Sequence, residues 1–272
     1  MRPKQSPERW PKTTPPGAIS ASAKRRRSSR GPTRNARVLG EGRVAANAFC
    51  PGCSATPLIA FATNSPVADF HCGVCAEEYE LKATRGRTDA KLVNGAWGAM
   101  KARLAAANNP SLMVMGYDKA RTRVTDLIVV PSHFFTEAII EPRKPLSMTA
   151  RRAGWQGCNI LIGQVPLAGR IPLIRAGAHV AKQAVLDQWR ATLFLRDAAP
   201  TARGWLLDVM KCVEDIGRPE FTLAEVYGFE ARLAAIYPGN NNVRPKIRQQ
   251  LQVLRDMGWL EFNGRGTYRR TT

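Results

Sequence analysis

The chain has 272 residues, of which 44% are hydrophobic and 23% are charged, proportions that suit a folded protein with one large domain or two modest ones. Its apolar runs are too short to cross a bilayer, and its first residues lack an apolar signal core. We therefore expect a cytoplasmic protein that is neither secreted nor embedded in a membrane. The formal net charge of +20 favours a polyanionic partner, most simply nucleic acid.

Residues 1–33 are rich in proline, serine and basic side chains and offer little apolar surface, which predicts a disordered tail. Eleven basic residues and one glutamate occur up to residue 37, and the remainder of the chain still carries half of the net charge. Such a tail is either a dispensable extension or a weak electrostatic tether to DNA. A short helix is expected over residues 36–48, where Glu41 is either an extra acid near a site or a solvated helix position.

Two C-x2-C pairs follow, Cys50-Pro-Gly-Cys53 and Cys72-Gly-Val-Cys75, with eighteen residues between them. This spacing lies in the range of a four-cysteine zinc site, and the lack of a secretion signal argues against disulfides. Four thiolates complete a tetrahedron and leave no open position, so the Zn2+ would be structural. The alternative is four unrelated buried cysteines.

A second signal overlaps the second pair, because Asp69 is followed after ten residues by Glu80 and Lys82 in an E-x-K arrangement. We predict strands over residues 67–70 and 78–83, with the cysteine knuckle at the turn between them. Glu80 and Lys82 then project to one side, and a hairpin brings Asp69 beside them. Two carboxylates can hold Mg2+, and an adjacent ammonium can orient water or neutralise a phosphate. The alternative is a solvated edge strand.

The rest of the first two hundred residues predicts a mixed sheet flanked by helices, an α/β (α+β) fold. The elements expected in chain order are a helix over residues 88–107, strands over 111–117, 124–130, 158–162 and 171–174, and a helix over 179–195. The first of these helices is inferred from an apolar stripe formed by Leu92, Trp97, Met100 and Leu104. The two longer strands are nearly continuous apolar runs, as in central strands that are covered on both faces.

A basic loop lies between these strands, and it contains glycine and one aromatic residue. Its side chains Arg151 and Arg152 suit phosphates or a guanine edge. Trp155 offers a flat apolar surface on which a base or a methyl group can pack. The alternative for Trp155 is an ordinary core residue.

After a boundary near residue 198, the pattern predicts helices over 204–216, 222–236 and 243–257, then a hairpin of residues 259–262 and 267–270. Three helices and a basic hairpin are the plan of a winged helix, whose third helix enters the major groove. The side chains expected to contact DNA are Arg244, Lys246, Arg248, Gln249 and, in the hairpin turn, Arg265. A protein-interaction module is the alternative, but seven basic against two acidic residues in 240–272 favour DNA.

The chain resembles the DpnI-type restriction endonucleases in a series of segments that keep the same order over nearly all of the chain outside the tail. In the first half these are Cys50-Pro-Gly-Cys53, Pro66-Val-Ala-Asp-Phe70 and Glu78-Tyr-Glu-Leu-Lys82. Further on they are Thr149-Ala-Arg-Arg-Ala-Gly-Trp-Gln-Gly-Cys-Asn159, Phe221-Thr-Leu and Lys246-Ile-Arg-Gln-Gln-Leu-Gln-Val-Leu-Arg-Asp256. The basic N-terminal extension is a departure for which the resemblance gives no guidance.

The resemblance implies a PD-(D/E)xK nuclease domain over residues 34–197, with a restriction-endonuclease-like mixed sheet and a zinc site, and a winged helix over residues 198–272. It implies Mg2+-dependent hydrolysis of double-stranded DNA at GATC sites whose adenine carries an N6-methyl group. By the same resemblance Asp69, Glu80 and Lys82 are the catalytic triplet, with Mg2+ on the two acids. The four cysteines match the Zn2+ ligands, and Trp155 matches an aromatic residue expected to sense the methyl group.

A non-enzymatic, zinc-containing winged-helix regulator is the rival interpretation, because a zinc hairpin and a winged helix can recognise DNA without cutting it. The triplet separates the two interpretations, since a regulator has no need of three converging catalytic side chains. The sequence shows no dimer interface. A monomer would need two sequential nicks to cut both strands, and the oligomeric state stays open.

Overall fold

The computed structural model describes residues 44, 48–62, 68–86, 88, 91–106, 108–118 and 123–271. The predicted tail and Glu41 lie outside these residues, as does most of the helix expected over 36–48. The elements of the first part are, in chain order, β1 (Ile59–Ala60), β2 (Phe70–His71), β3 (Glu78–Arg85), β4 (Lys91–Ala96), α1 (Trp97–Ala105), β5 (Ser111–Asp118), β6 (Arg123–Val130), β7 (Ile140–Pro142), β8 (Gly157–Leu161), β9 (Ile171–Arg175), β10 (Ala178–His179) and α2 (Lys182–Arg190).

The second part contains α3 (Pro200–Asp215), β11 (Glu220–Thr222), α4 (Leu223–Tyr227), α5 (Glu230–Ile236), α6 (Val243–Asp256), β12 (Leu260–Gly264) and β13 (Thr267–Arg270). The chain is therefore a mixed α/β protein with a C-terminal helical domain, which confirms the predicted fold class. No helix in the part of the chain described here is long and apolar enough to cross a bilayer.

The largest sheet runs through the first part, with its strands in the order β1-β2-β3-β5-β6-β9-β10. β3 and β5 are parallel and are joined by a crossover that contains β4 and α1, whereas the other neighbouring strands pair antiparallel. β5 is buried over most of its length, as its apolar sequence predicts for a central strand that is covered on both faces.

The two faces of this sheet are buried in separate hydrophobic clusters, because side chains alternate along each strand. On one face Met113 of β5 packs with α2 and with the cysteine segments. On the other face Leu112 and Val114 join a second cluster. Glu80 and Lys82 pair in register with these two residues and therefore project onto the second face.

A small antiparallel sheet, in the order β4-β8-β7, packs against the second face. Leu92, Ile140 and Ile160 are cross-strand neighbours on its inner side, and all three belong to the cluster that contains Leu112 and Val114. The face that bears Glu80 and Lys82 is therefore covered in part by this sheet.

The second part has the element order of a winged helix, with its three strands in the order β11-β13-β12. Thr222 ends β11 and caps α4 through a capping box, because its hydroxyl accepts a hydrogen bond from the Glu225 N–H while the Glu225 carboxylate accepts one from the Thr222 N–H. The third helix of the prediction, α6, buries the expected apolar face, formed by Val243, Ile247, Leu251 and Leu254.

The two parts share a hydrophobic cluster, which includes Ile160 of β8 and Leu254 of α6. A hydrogen bond also joins them, since the Leu167 N–H donates to Glu214 Oε1 of α3 at 2.7 Å. Burial raises the pKa of the Glu214 carboxyl. The division of the chain at residue 198 stays a prediction, and the packing shows that a cut there would expose apolar surface.

The prediction of a helix over residues 88–107 is wrong for the first half of this range. Lys91–Ala96 form β4, and α1 begins only at Trp97. Leu92 explains the error, because its spacing fits a helical stripe, yet it pairs with Ile160 in the antiparallel β4–β8 ladder. A single apolar residue is compatible with the period of a helix and with that of a strand. Pairing with β8 therefore decided that this segment is a strand.

Other elements differ from the prediction at their ends. The helix expected over 179–195 contains the end of β10, α2 and a 3-10 turn at Leu193–Leu195. The helix expected over 222–236 is divided into α4 and α5. The strand expected over 67–70 is Phe70–His71, and residue 67 lies outside the described residues. The sequence did not predict β7 and β11, because three-residue strands contain too little periodicity.

Candidate active site and metal centre

Glu80 and Lys82 form an ion pair on the second face of the main sheet. Lys82 Nζ lies 2.6 Å from Glu80 Oε1, and the two side chains are 26% and 23% exposed respectively. Residues two apart in a strand share a face, so β3 itself brings them together. Partial burial weakens the screening of the pair by water, while the remaining exposure leaves it accessible to a ligand.

Asp69 immediately precedes β2 and faces the same part of β3. The β2–β3 ladder pairs Phe70 with Tyr79, and continuing that register by one residue sets Asp69 opposite Glu80. Asp69 Oδ2 accepts a 2.7 Å hydrogen bond from the N–H of Leu81, which lies between the other two members of the triplet. The structure therefore brings the two acids and the lysine together on one strand pair. Their roles in catalysis stay a prediction.

The buried thiol of Cys158 shows which part of the chain lies close to the triplet. Burial raises its pKa, whereas the positive charge of Lys82 lowers it and the negative charge of Glu80 raises it again. Arg143 lowers this pKa as well. The small sheet therefore carries both ends of the loop between β7 and β8 on the face that bears Glu80 and Lys82, because Cys158 packs in the cluster that contains Leu112 and Val114, the register partners of these two residues.

The four paired cysteines form one cluster on the opposite face of β3, in which all four Sγ atoms lie within 4.8 Å of one another. The Sγ atoms of Cys50 and Cys75 are 3.4 Å apart, as are those of Cys53 and Cys72. Zinc–sulfur bonds of about 2.3 Å in a tetrahedron require sulfur separations of about 3.8 Å. The donor set therefore fits Zn2+, and the alternative of four unrelated cysteines is wrong.

The two cysteine knuckles have the same backbone geometry. The Ser54 N–H donates to the Cys50 carbonyl, and the Ala76 N–H donates in the same way to the Cys72 carbonyl. Ser54 and Ala76 both have positive φ, at 69° and 58°. The Val74 N–H points to Cys72 Sγ at 3.4 Å. Burial raises the pKa of the Cys72 thiol, but backbone hydrogen bonds outweigh burial and lower it to about 7, whereas burial raises the pKa of the Cys50 and Cys75 thiols.

Tyr79 connects the cysteine cluster to β3. Its hydroxyl lies 3.1 Å from Cys50 Sγ, and its side chain is fully buried. Burial, followed by the charge of Cys50, raises the pKa of Tyr79, so the phenol stays protonated. Tyr79 and Glu80 are consecutive and face opposite sides of the sheet. The cysteine cluster therefore fixes one side of the strand whose other side bears the triplet.

The basic loop of residues 143–156 continues β7 and β8 as an ordered hairpin. The Arg143 N–H donates to the Gly157 carbonyl, and the Leu146 N–H donates to the Trp155 carbonyl, both at 2.9 Å. The half-buried ring of Trp155 lies against Gly157, where a Cβ atom would be only 2.9 Å from it. The Arg152 guanidinium lies 4.8 Å from the ring centroid. Trp155 is thus outside both buried clusters and packs at the base of the loop.

Most of the other side chains predicted to contact DNA are also at the surface. Arg248 and Gln249 lie exposed on the outer side of α6, and Lys246 donates a 2.8 Å hydrogen bond to Gln249 Oε1. Arg265 is exposed in the turn between β12 and β13. Two loop side chains are likewise exposed, Arg151 and Arg152. Their contacts with DNA stay a prediction.

Arg244 differs from these residues because its guanidinium already contacts an acidic and an aromatic side chain of the protein. Its Nε lies 2.8 Å from Glu230 Oε2, and its guanidinium lies 5.4 Å from the ring centroid of Tyr227. A phosphate would have to compete with Glu230 for this side chain, so we expect it to contribute less to DNA binding than Arg248.

A winged helix with an exposed basic surface, joined to a mixed sheet that bears two acids and a lysine, defines a protein that acts on DNA. The chain belongs to the DpnI family, described as the Dam-replacing family, whose model matches residues 22–198. A second model, the Dam-replacing HTH domain, matches residues 201–270. The predicted resemblance is confirmed, and with it membership of a restriction-endonuclease family that has a helix-turn-helix domain for DNA.

The sequence did not reveal some of the contacts that support this site. The hydrogen bond between Tyr79 and Cys50 could have been suspected, because alternation along β3 turns Tyr79 away from Glu80. The ion pair between Arg196 and Glu77, at 2.7 Å, had no sequence signal, since it joins residues more than a hundred positions apart. It ties the second knuckle to the segment just before α3.

Replacing Ala76 by glycine should raise the free energy of unfolding by about 0.5–1 kcal/mol, because a φ of 58° strains alanine and not glycine. Ala102, exposed within α1, is the matched control, and the same substitution there should lower this free energy by about 1 kcal/mol. Urea unfolding followed by circular dichroism measures both. If both substitutions changed the free energy of unfolding in the same direction, the role assigned to the positive φ at Ala76 would be contradicted.

Replacing Cys75 by serine should reduce the bound zinc from about one ion per chain to a small fraction, because one thiolate of a closed tetrahedron is lost. Elemental analysis of purified protein measures the content. The Cys212→Ala variant is the control, since this cysteine is fully buried in α3 and lies outside the cluster. Zinc retained by Cys75→Ser, or lost equally from both variants, would argue against the assigned ligands.

Proposed function

We propose that this chain is a methylation-dependent type II restriction endonuclease that hydrolyses double-stranded DNA at GATC sites carrying N6-methyladenine, with Mg2+ as cofactor. Membership of the DpnI family supports the nuclease and DNA-binding parts of the proposal. The observation that carries it is the meeting of Asp69, Glu80 and Lys82 on one strand pair. A protein that only binds DNA has no need of this arrangement.

Each member of the triplet would have its own task in phosphodiester hydrolysis. Asp69 and Glu80 offer carboxylate oxygens, the ligands that Mg2+ prefers. When bound, Mg2+ would stabilise the negative charge that develops on the scissile phosphate. Lys82 can orient the attacking water and neutralise the phosphate, while Glu80 holds its ammonium in position. The Leu81 N–H fixes the Asp69 carboxylate toward the same site.

Zinc would support this chemistry from the other face without taking part in it. Four thiolates leave no position for water or substrate, so the ion can act only on structure. The contact between Cys50 and Tyr79 links the cluster to β3, which also bears Glu80 and Lys82. We expect loss of zinc to impair cutting through misplacement of the triplet.

Recognition of the methyl group would be shared between the two parts of the chain. Burying one methyl contributes about 0.8 kcal/mol, which corresponds to less than a tenfold preference. One such contact is too weak for stringent discrimination. The Trp155 loop and the winged helix could each detect the methyl group of one strand, and two modest preferences would then multiply.

Replacing Lys82 by alanine should slow cleavage by roughly 10²–10⁴-fold, because the ammonium that orients the water is lost. Binding should be largely retained, because most of the side chains proposed to contact phosphate lie elsewhere. Single-turnover cleavage and fluorescence anisotropy on the same labelled duplex measure the two effects. Arg85→Ala is the control, since this exposed residue lies on β3 but on the opposite face. Equal loss of cutting and binding in Lys82→Ala would undermine its catalytic assignment.

Incubation with plasmid DNA tests the whole proposal. With Mg2+, we expect cleavage of plasmid methylated at the adenine of GATC, and no cleavage of unmethylated plasmid or of samples with excess EDTA. A monomer with one triplet should pass through a nicked circle before linear DNA accumulates. If methylated DNA is bound and neither plasmid is cut, the non-enzymatic regulator is the better interpretation.

The same plasmids test the part played by the winged helix. Deleting it would uncover the shared hydrophobic cluster, so a surface variant is preferable. The double variant Arg248→Ala and Gln249→Ala changes only exposed side chains of α6. A smaller ratio of methylated to unmethylated cleavage is expected. An unchanged ratio would contradict shared recognition.

A further inference from the structure

The tip of the 143–156 loop presents apolar side chains that the described part of the chain leaves exposed in whole or in part. Met148 is 85% exposed, more than any other large hydrophobic side chain in the described ranges, and Leu146 is 40% exposed. Apolar surface of this kind at a loop tip marks a contact site. The mechanism described above makes no use of either residue.

The loop holds Met148 in a defined position. The Leu146 N–H donates to the Trp155 carbonyl at 2.9 Å, which pairs the two sides of the loop. At the tip, the Ala150 N–H donates to the Ser147 carbonyl at 3.0 Å and closes a turn around Met148. A side chain presented by an ordered turn loses less entropy when it binds.

The position of the loop and its charge indicate what the tip contacts. Its base lies on the sheet face that bears the triplet, because Cys158 at that base packs in the cluster that contains Leu112 and Val114, the register partners of Glu80 and Lys82. An extended chain advances about 3.3 Å per residue, so the tip lies on the order of 15 Å from that base, within reach of a duplex at the triplet. The loop contains four basic residues and no acidic one, Arg143, Lys144, Arg151 and Arg152. These charges suit phosphates on either side of an apolar tip.

We propose that Met148 is a wedge that enters the base stack of the bound duplex, with Leu146 packed behind it. Unbranched and branched apolar side chains, methionine among them, open base steps in this way and bend the DNA. The inference rests on the proposed function because it places the duplex at the triplet. It adds to that function that base steps of the bound duplex are opened. A base freed in this way can reach Trp155.

The test uses the full-length Lys82→Ala protein, in which cleavage is expected to be too slow to consume the DNA during the measurement, and a duplex with 2-aminopurine beside a methylated GATC site. The fluorescence of this base rises when it unstacks. We expect a clear rise on binding, which Met148→Gln abolishes and Met148→Leu retains. Met148→Gln should also weaken binding about tenfold in anisotropy, because an apolar contact is lost. Leu167→Ala, at another exposed apolar residue outside the loop, should change neither signal.

The possible outcomes separate the wedge from the proposed function. A fluorescence rise that persists in Met148→Gln, or no rise in any protein that binds the duplex, overturns the wedge and leaves the endonuclease proposal standing. A rise that depends on Met148 but is equal for methylated and unmethylated duplexes supports the wedge and counts against methyl dependence. Failure of the Lys82→Ala protein to bind either duplex overturns both.

Discussion

The β2–β3 pairing has a four-cysteine cluster on one face and two acids with a lysine on the other. Alternation of side chains along β3 produces this separation, since Tyr79 contacts Cys50 while Glu80 contacts Lys82. The structural metal and the proposed catalytic Mg2+ would thus act on one strand without sharing a ligand. The register of this hairpin sets Asp69 opposite Glu80, and a slip by one residue would turn one of the acids toward the cysteines.

The small β4-β8-β7 sheet partly covers the face of the main sheet on which the triplet lies. It packs on the face that bears Glu80 and Lys82, and the basic loop joins two of its strands. The same hydrophobic cluster extends into α6 of the winged helix. The surfaces suited to DNA therefore stand on a continuous packed core, which can hold them in a fixed relation while a duplex binds.

Recognition of one methyl group, as proposed for this protein, would be a weak interaction that needs support from other contacts. Contacts to phosphate supply affinity without sequence information, and the exposed basic side chains of the loop and of α6 suit that task. Under the proposed function, discrimination would then come from bases that are made accessible. The proposed wedge would meet this need, since an ordered loop with Trp155 on its side and Met148 at its tip would combine a flat surface for stacking with a means of opening the duplex.

The sequence by itself determined the cysteine pairs, the E-x-K strand, the apolar central strands and the plan of the winged helix, because each has a local period or spacing. Tertiary structure decided what local pattern cannot contain. Leu92 belongs to a strand because Ile160 pairs with it, and Arg244 forms an ion pair because Glu230 lies beside it. The loop stands next to the triplet because a second sheet packs on the first. Contacts between distant segments decide these features, and the pattern of neighbouring residues in the sequence does not indicate such contacts.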